Sequence, residues 1–378
     1  MIEIAVVLLV LATLPATCEL ILITLGVLFY RTKPLPILRS PFPKTVVVVP
    51  AHNEATHIKK TVQSIQKCKG SFDCVVLADN CTDNTAEIVR GEQVQVLERY
   101  SDERGKHHAL RFAFASITDY ELYIIVDADS IVEPNLVEVF QAHLQEGAEA
   151  IQALYLLPPS GDYLSSRLAS IAFTAFNALR PMARSTWDLS CGIFGNGFGI
   201  SKTIREKFPI PTDTIAEDVA YHQKLVQAGI KVVFAPETTV TAESPPSIKD
   251  ASDQQQRWQG GRLRLWREKT PILFKELLKG NWLCLEPLLD LFTPPLAYYC
   301  PLLLILLFTS FKGYALLALF VLAVHVVQTL RYRNLGLADW SALAQVPFYL
   351  LRKWADVPQL LKSSKKDGTW TRTKRKGE

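Results

Sequence analysis

The chain is poor in cysteine. Seven Cys in 378 residues exclude a disulfide scaffold. None of Cys68, Cys74, Cys81, Cys191 and Cys284 has zinc-site spacing, so reduced thiols are expected. Eighteen Gly with 22 Pro exclude a collagen-like repeat, and a hydrophobic fraction of 49% excludes a disordered chain. No G-x-G-x-x-G follows the first β-branched run, which argues against a dinucleotide fold of that type. No G-x-x-x-x-G-K-S/T is present either, since Gly105-Lys106 lacks the spacing. Positive charge is missing altogether from Met1 to Tyr30, where only Glu3 and Glu19 are charged.

That first stretch is long enough to cross a hydrocarbon core of about 30 Å. Arg31, Lys33, Arg39 and Lys44 follow it. A signal peptide carries its positive charge before the apolar run, so an uncleaved anchor is expected. Glu19 is then expected to face other protein or to sit toward one leaflet. Two further apolar blocks run from about Leu291 to Ser310 and from about Tyr314 to Leu330, closed by Arg331 and Arg333. The positive flanks put the amino terminus outside, about three spans in the membrane and the middle of the chain in the cytoplasm. A mean hydropathy of +0.13 is then the average of apolar spans and a soluble region.

The middle section alternates strand and helix signals. Strands are expected at 45–49, 72–78, 94–97, 122–126 and 150–156, and helices at 55–66, 106–117 and 134–144, with a helix ending at Arg90. This is an α/β pattern with a Rossmann-like, mostly parallel sheet. Ligands of such sheets bind beyond the carboxyl ends of the strands. Three strands end there in acidic or turn-forming residues: Pro50 to Glu54, Asp79 to Asp83, and Asp127-Ala128-Asp129. Carboxylates gathered at one edge repel unless something cationic neutralises them. A divalent metal with a phosphate-bearing ligand answers that need.

The ordered motifs Val-Val-Pro-Ala-His-Asn-Glu (48–54), Ala-Asp-Asn-Cys-Thr-Asp-Asn-Thr (78–85), Arg-Gly-Lys (104–106), Asp-Ala-Asp (127–129), Gly-Asn-Gly-Phe (195–198), Ala-Glu-Asp (216–218) and Gln-Gln-Gln-Arg-Trp (254–258) resemble family 2 glycosyltransferases of the GT-A fold. The last motif, a Q-x-x-R-W pattern beside membrane spans, is similar to the branch holding cellulose, hyaluronan and poly-N-acetylglucosamine synthases and ceramide glucosyltransferases. The resemblance covers about residues 44 to 268.

The resemblance implies roles position by position. Ala51, Glu54 and Asp79 would hold the base and ribose of a nucleotide sugar, and Lys106 would contact nucleotide or phosphate. Asp127 and Asp129 would bind Mg²⁺ or Mn²⁺ through the diphosphate. Asp218 would be the general base of an inverting transfer, with Glu217 as the second candidate. Gln254, Arg257 and Trp258 would meet the donor diphosphate and line the acceptor site. The segment from Cys191 to Ile200, with Gly192, Gly195, Gly197 and Gly199, is read as flexible and placed at the acceptor sugar.

The expected organisation is an N-terminal transmembrane helix at 1–30, a cytoplasmic GT-A domain at 31–285, a transmembrane hairpin at 286–333, and an amphipathic interfacial helix with a basic cytoplasmic tail at 334–378. Positions 331–378 carry 11 Lys and Arg against 4 Asp and Glu. That excess suits anionic lipid, and no nucleic-acid fold signal accompanies it. The implied protein is a multi-pass enzyme of the inner (cytoplasmic) membrane. It would move a sugar from a UDP-linked donor to a membrane lipid or a growing surface glycan. One alternative is a processive synthase working as an oligomer or with an export partner. Another is a sensor that binds nucleotide sugars without turnover.

Overall fold

The computed structural model describes residues 2–159, 164–212, 216–242, 265–294, 296–333 and 337–346. Gln254, Arg257 and Trp258, most of the expected interfacial helix and the basic tail lie outside these residues. The described chain falls into two compact units. One is built from Met1–Arg31, Gly161–Leu189 and Ser252–Gly368, the other from Thr32–Ser160 and Ser190–Ala251.

The first unit is helical. It contains α1 (Ile2–Phe29), α6 (Leu164–Thr174), a π-helical turn at Ala175–Leu179, and α7 (Arg180–Thr186). After α10 (265–278) come α11 (Leu285–Phe292), α12 (Leu296–Leu306), α13 (Lys312–Tyr332) and α14 (Leu337–Ala344). Where three spans are expected, two described helices are long and apolar enough to cross a membrane, Glu3–Phe29 and Lys312–Tyr332. The apolar block at 291–310 is interrupted. α11 stops before Thr293-Pro294, and α12 has 11 residues, about 16 Å at 1.5 Å per residue. Proline has no N–H to continue a helix.

Ala16, Leu20, Tyr299, Leu303, Leu306, Ala315 and Ala318 form the apolar core of this unit. Hydroxyls tie its helices together. Thr17 Oγ1 lies 2.7 Å from both Tyr299 Oη and Tyr314 Oη, and Tyr314 Oη donates to Thr13 Oγ1 at 3.0 Å. Glu19 faces other protein, as expected: Arg184 Nη2 lies 3.2 Å from Glu19 Oε1, and Thr293 Oγ1 donates to Glu19 Oε2 at 2.5 Å. Arg184 also pairs with Glu286, and Arg180 with Asp290.

The second unit is the α/β part. β1 (Thr45–Ala51) is a β-branched run whose Val46 to Val49 are fully buried, the signature of a strand covered on both faces. It is followed by α2 (Ile58–Gln66), β2 (Asp73–Asp79), α3 (Thr85–Gly91), β3 (Gln95–Arg99), α4 (Lys106–Ser116), β4 (Leu122–Ile125), β5 (Ser130–Val132), α5 (Leu136–Gln145) and β6 (Ala150–Leu156). Helix α2 buries Ile58, Thr61, Val62 and Ile65, the i, i+3, i+4, i+7 face of an amphipathic helix. Then come β7 (Phe198–Ser201), α8 (Lys202–Lys207), α9 (Glu217–Gln227) and β8 (Val232–Ala242).

Among the described residues the sheet has eight strands, in the order β3-β2-β1-β4-β7-β6-β8-β5. Expected to be mostly parallel, it is mixed. β3-β2, β2-β1, β1-β4 and β6-β8 are parallel, while β4-β7, β7-β6 and β8-β5 are antiparallel. Every antiparallel pairing involves β5 or β7, three and four residues long, which carry weak sequence signals. β7 reads Phe-Gly-Ile-Ser, and its Gly199 is required by packing, because a Cβ there would come within 2.5 Å of the Phe140 ring.

Candidate active site

Two clusters form at the carboxyl ends of the parallel strands. The first joins the ends of β1 and β2. Asn53, at φ 55°, turns its Oδ1 to accept from the backbone N–H of Thr82 at 2.7 Å and of Asp83 at 3.3 Å. The His52 Nδ1–H donates to the Asp79 carbonyl at 2.7 Å. Glu54 starts the turn into α2. Its N–H donates to Thr85 Oγ1 at 2.9 Å and its carbonyl accepts from the Ile58 N–H at 2.9 Å. Ala51, at the end of β1, is 3% exposed. Asp79 is buried, and its Oδ1 accepts from Arg99 Nη1 at 2.7 Å and from Asn80 Nδ2 at 3.1 Å. Arg99, at the end of β3, is buried as well, and its Nη1 also donates to the Glu103 carbonyl. The carboxylate expected at the nucleotide base is thus held by an arginine that sequence reasoning did not single out.

The second cluster lies where β4, the segment before β7 and the start of α9 converge. Lys106, the first residue of α4, places its Nζ on Asp127 Oδ1 and donates to the Gly195 carbonyl at 2.5 Å. Asn196 is 1% exposed and fixes both aspartate positions. Its Oδ1 accepts from the Asp127 N–H at 2.9 Å. Its Nδ2 donates to Ser130 Oγ at 2.8 Å, and that hydroxyl donates to Asp129 Oδ1 at 3.3 Å. Gln152 is buried on β6. Its amide nitrogen donates to the carbonyls of Asn196 and Gly197 at 2.9 and 3.0 Å, and its oxygen accepts from the Phe194 N–H at 3.0 Å. The glycine-rich segment read as flexible is therefore pinned. At Gly197 a Cβ would meet Val240 Cγ2 at 2.7 Å, so the glycine serves close packing.

Glu217 and Asp218 open α9. The Val219 N–H donates to Asp218 Oδ1 at 2.8 Å, and Asp218 Oδ2 lies beside Gly195, 3.4 Å from where a Cβ would stand. Loss of water contact, reinforced by the Asp218 charge, raises the Glu217 pKa to about 8, with Lys106 opposing. Asp218 is raised too, first by desolvation, against the pull of the Val219 N–H and of Lys106. Neighbouring carboxyls that perturb one another titrate as a pair. At Lys106 desolvation opposes the charge, but Asp127, Glu217 and Asp218 outweigh it and the ammonium is stabilised.

The structure thus brings Lys106, Asp127, Glu217 and Asp218 into one electrostatic cluster, with Asn196 and Gln152 as positioning residues that sequence reasoning missed. Asn196 stood inside a quoted motif without a role, and Gln152 carried no local signal. Among the described residues no group of three or more His, Cys, Asp or Glu side chains is placed to hold a metal by itself. Asp127 and Asp129 offer hard oxygen ligands to a divalent cation, whose remaining positions substrate phosphates can fill.

The "Probable glycosyltransferase YdaM" of Bacillus subtilis (strain 168) is 26% identical over 232 residues, 58% of this chain and 55% of that protein. The "4,4'-diaponeurosporenoate glycosyltransferase" of Staphylococcus haemolyticus is 26% identical over 151 residues, 37% of this chain and 40% of that protein. The chain spans about half the length of these curated relatives. Among solved structures, the mannosyltransferase PcManGT from Pyrobaculum calidifontis aligns with a TM-score of 0.57 and 17% identity over 96% of this chain and 97% of that one. That likeness is one of fold, and the sheet described above is of the GT-A kind. Residues 43–261, more than half of the chain, match the family described as "Glycosyltransferase like family 2", and the chain is a member of that glycosyltransferase family.

Proposed function

We propose that this glycosyltransferase moves a sugar, with inversion, from a nucleotide sugar to a lipid or glycan acceptor at a membrane. The observation that carries the reading is the meeting of a cation (Lys106), a strand-end carboxylate (Asp127) and two carboxyls with raised pKa values (Glu217, Asp218) at one sheet edge. Asp218 is the base. Its Oδ1 is held by the Val219 N–H, and its raised pKa makes it a stronger proton acceptor than an ordinary carboxylate. Glu217, raised to about 8, keeps its proton near neutral pH. Ala51, Glu54 and Asp79 receive the nucleoside, with Arg99 holding one oxygen of Asp79 and leaving its fellow to accept from base or ribose.

Asp127 and Asp129 would hold Mg²⁺ or Mn²⁺. Such an ion supplies Lewis-acid neutralisation of the departing nucleoside diphosphate. The structure of the Pyrobaculum mannosyltransferase contains GDP-Man and Mn²⁺, and the Staphylococcus relative is named for 4,4'-diaponeurosporenoate. These names favour a divalent ion, a nucleotide sugar and an apolar acceptor, and the resemblance of the motifs favours uridine as the base. Helices α1 and α13, long and apolar enough to cross a membrane, favour residence in the inner membrane with the α/β unit on the cytoplasmic side. Gln254, Arg257 and Trp258 are proposed at the diphosphate and the acceptor.

The test is transfer by the purified full-length protein, screened over UDP- and GDP-sugars with Mn²⁺ and lipid acceptors. Asp218→Asn should lower kcat by about 10²–10⁴-fold while leaving donor binding in place. Full activity in that variant would remove Asp218 from the base role. Donor binding without turnover in wild type would favour the sensor, and a ladder of polymer products the processive synthase.

A further inference from the structure

We propose that Lys106 is a built-in stand-in for the metal ion. While no donor is bound, its ammonium occupies the cation side of Asp127. The donor diphosphate draws it away, so that the divalent ion and the nucleotide enter together. This rests on the nucleotide-sugar reading above.

The geometry is specific. Lys106 Nζ sits on Asp127 Oδ1, the carboxylate assigned to the metal, and is held from a second side by the Gly195 carbonyl at 2.5 Å. Glu217 and Asp218 add their field to the same ammonium. The Lys106 and Asp127 side chains are 22% and 32% exposed, so the pair is open to an entering ligand. An ammonium and a divalent ion cannot both lie against one carboxylate oxygen, because two cations a few ångström apart repel strongly even at a protein surface. Lysine suits exchange better than arginine does. It is a point charge on a flexible four-carbon stem and makes no bidentate fork that would lock it to the carboxylate. Its place at the start of α4, just after Gly105 at φ 116°, leaves that stem as the moving part. Asn196 holds the Asp127 backbone in place while the partner of the carboxylate changes.

The exchange has a thermodynamic signature. Metal alone must displace a resident charge and should bind weakly. Metal with diphosphate should bind cooperatively, because the diphosphate gives the ammonium a new partner, and the coupling is reciprocal.

The experiment is Mn²⁺ titration of the full-length protein in detergent without nucleotide, read by the electron paramagnetic resonance signal of free Mn²⁺. Lys106→Gln should bind Mn²⁺ about tenfold more tightly than wild type or more. Lys106→Arg, which keeps the charge, should show no gain, and adding Asp127→Asn to Lys106→Gln should abolish it. A second measurement needs no variant. Acetylation of Lys106 by acetic anhydride, followed by mass spectrometry, should quicken when saturating Mn²⁺ is added without nucleotide. Unchanged or weaker Mn²⁺ binding by Lys106→Gln, or an unchanged acetylation rate, overturns the proposal. If Asp127→Asn still abolishes Mn²⁺ binding in that case, the metal assignment stands and only the exchange fails. If Asp127→Asn leaves Mn²⁺ binding intact, both fail.

Discussion

The two units each gather carboxylates around cations, and the gatherings are built differently. In the helical unit Arg180 and Arg184 meet Glu19, Glu286 and Asp290, and every one of these side chains is 9% exposed or less. Both cations are guanidinium groups, which stay charged and fix their partners in a plane. Arg180 is further covered by the Phe176 ring at 3.6 Å. In the second cluster of the α/β unit the cation is a lysine, its partner Asp127 is about one-third exposed, and the neighbouring Glu217 and Asp218 both have raised pKa values. The first arrangement is closed and holds helices. The second is open and has somewhere for a charge to go. Ion pairing alone separates nothing, whereas the kind of cation and its access to solvent do.

The comparison can be broken at either end. The largest effect is expected in the closed cluster. Arg184→Ala removes the cation paired with Glu286 and leaves Glu19 with Arg180 at 3.9 Å, and should cost about 3–5 kcal/mol. Thermal unfolding of the purified protein would register this, while turnover per folded molecule should hold. A collapse of turnover with unchanged stability would give the closed cluster a functional role. Gly195→Ala comes next. Its φ of 77° is unfavourable for any Cβ, and the added methyl would stand in van der Waals contact with Asp218 Oδ2. About 1–2 kcal/mol of strain is expected, with a larger relative loss of transfer than of melting temperature.

A pH slope is expected as well. The folded-state pKa of Glu217, about 8, lies above its ordinary 4.5, so the folded chain keeps a proton that the unfolded chain releases between those limits. Stability contributed by that group is present at low pH and is lost as pH rises toward 8. Glu217→Gln should flatten this part of the melting curve against pH. Transfer should move the other way and rise with pH as Asp218 loses its proton. Equal slopes in wild type and Glu217→Gln would show that Glu217 is not the group that carries the slope.

Much of the α/β unit was legible in the sequence because local rules and burial agree there. The β-branched run at 45–51 and the strands at 73–79 and 150–156 lie within a residue or two of their expected limits. The strands that make the sheet mixed were not legible. β7 is four residues with an internal glycine, and β8 carries Pro236 and a shift of register against β6 between Ala153 and Leu154. The site followed the same rule. Strand-end aspartates announce themselves, but Arg99 on Asp79 and Gln152 on the glycine-rich segment act across 20 and 44 positions of sequence. The ion network of the helical unit spans up to 165 positions, and no local pattern encodes it.

The separation also fixes an order of events during synthesis. Glu19 is made 165 residues before Arg184 and 274 before Thr293. At roughly 5–20 residues per second, the carboxylate spends on the order of ten to thirty seconds in the nascent chain before its first lasting partner exists. Helix α1 must therefore be tolerated early in surroundings that differ from its final ones. Its final position is settled only when residues near Thr293 have arrived, so an early segment is among the last to find its place.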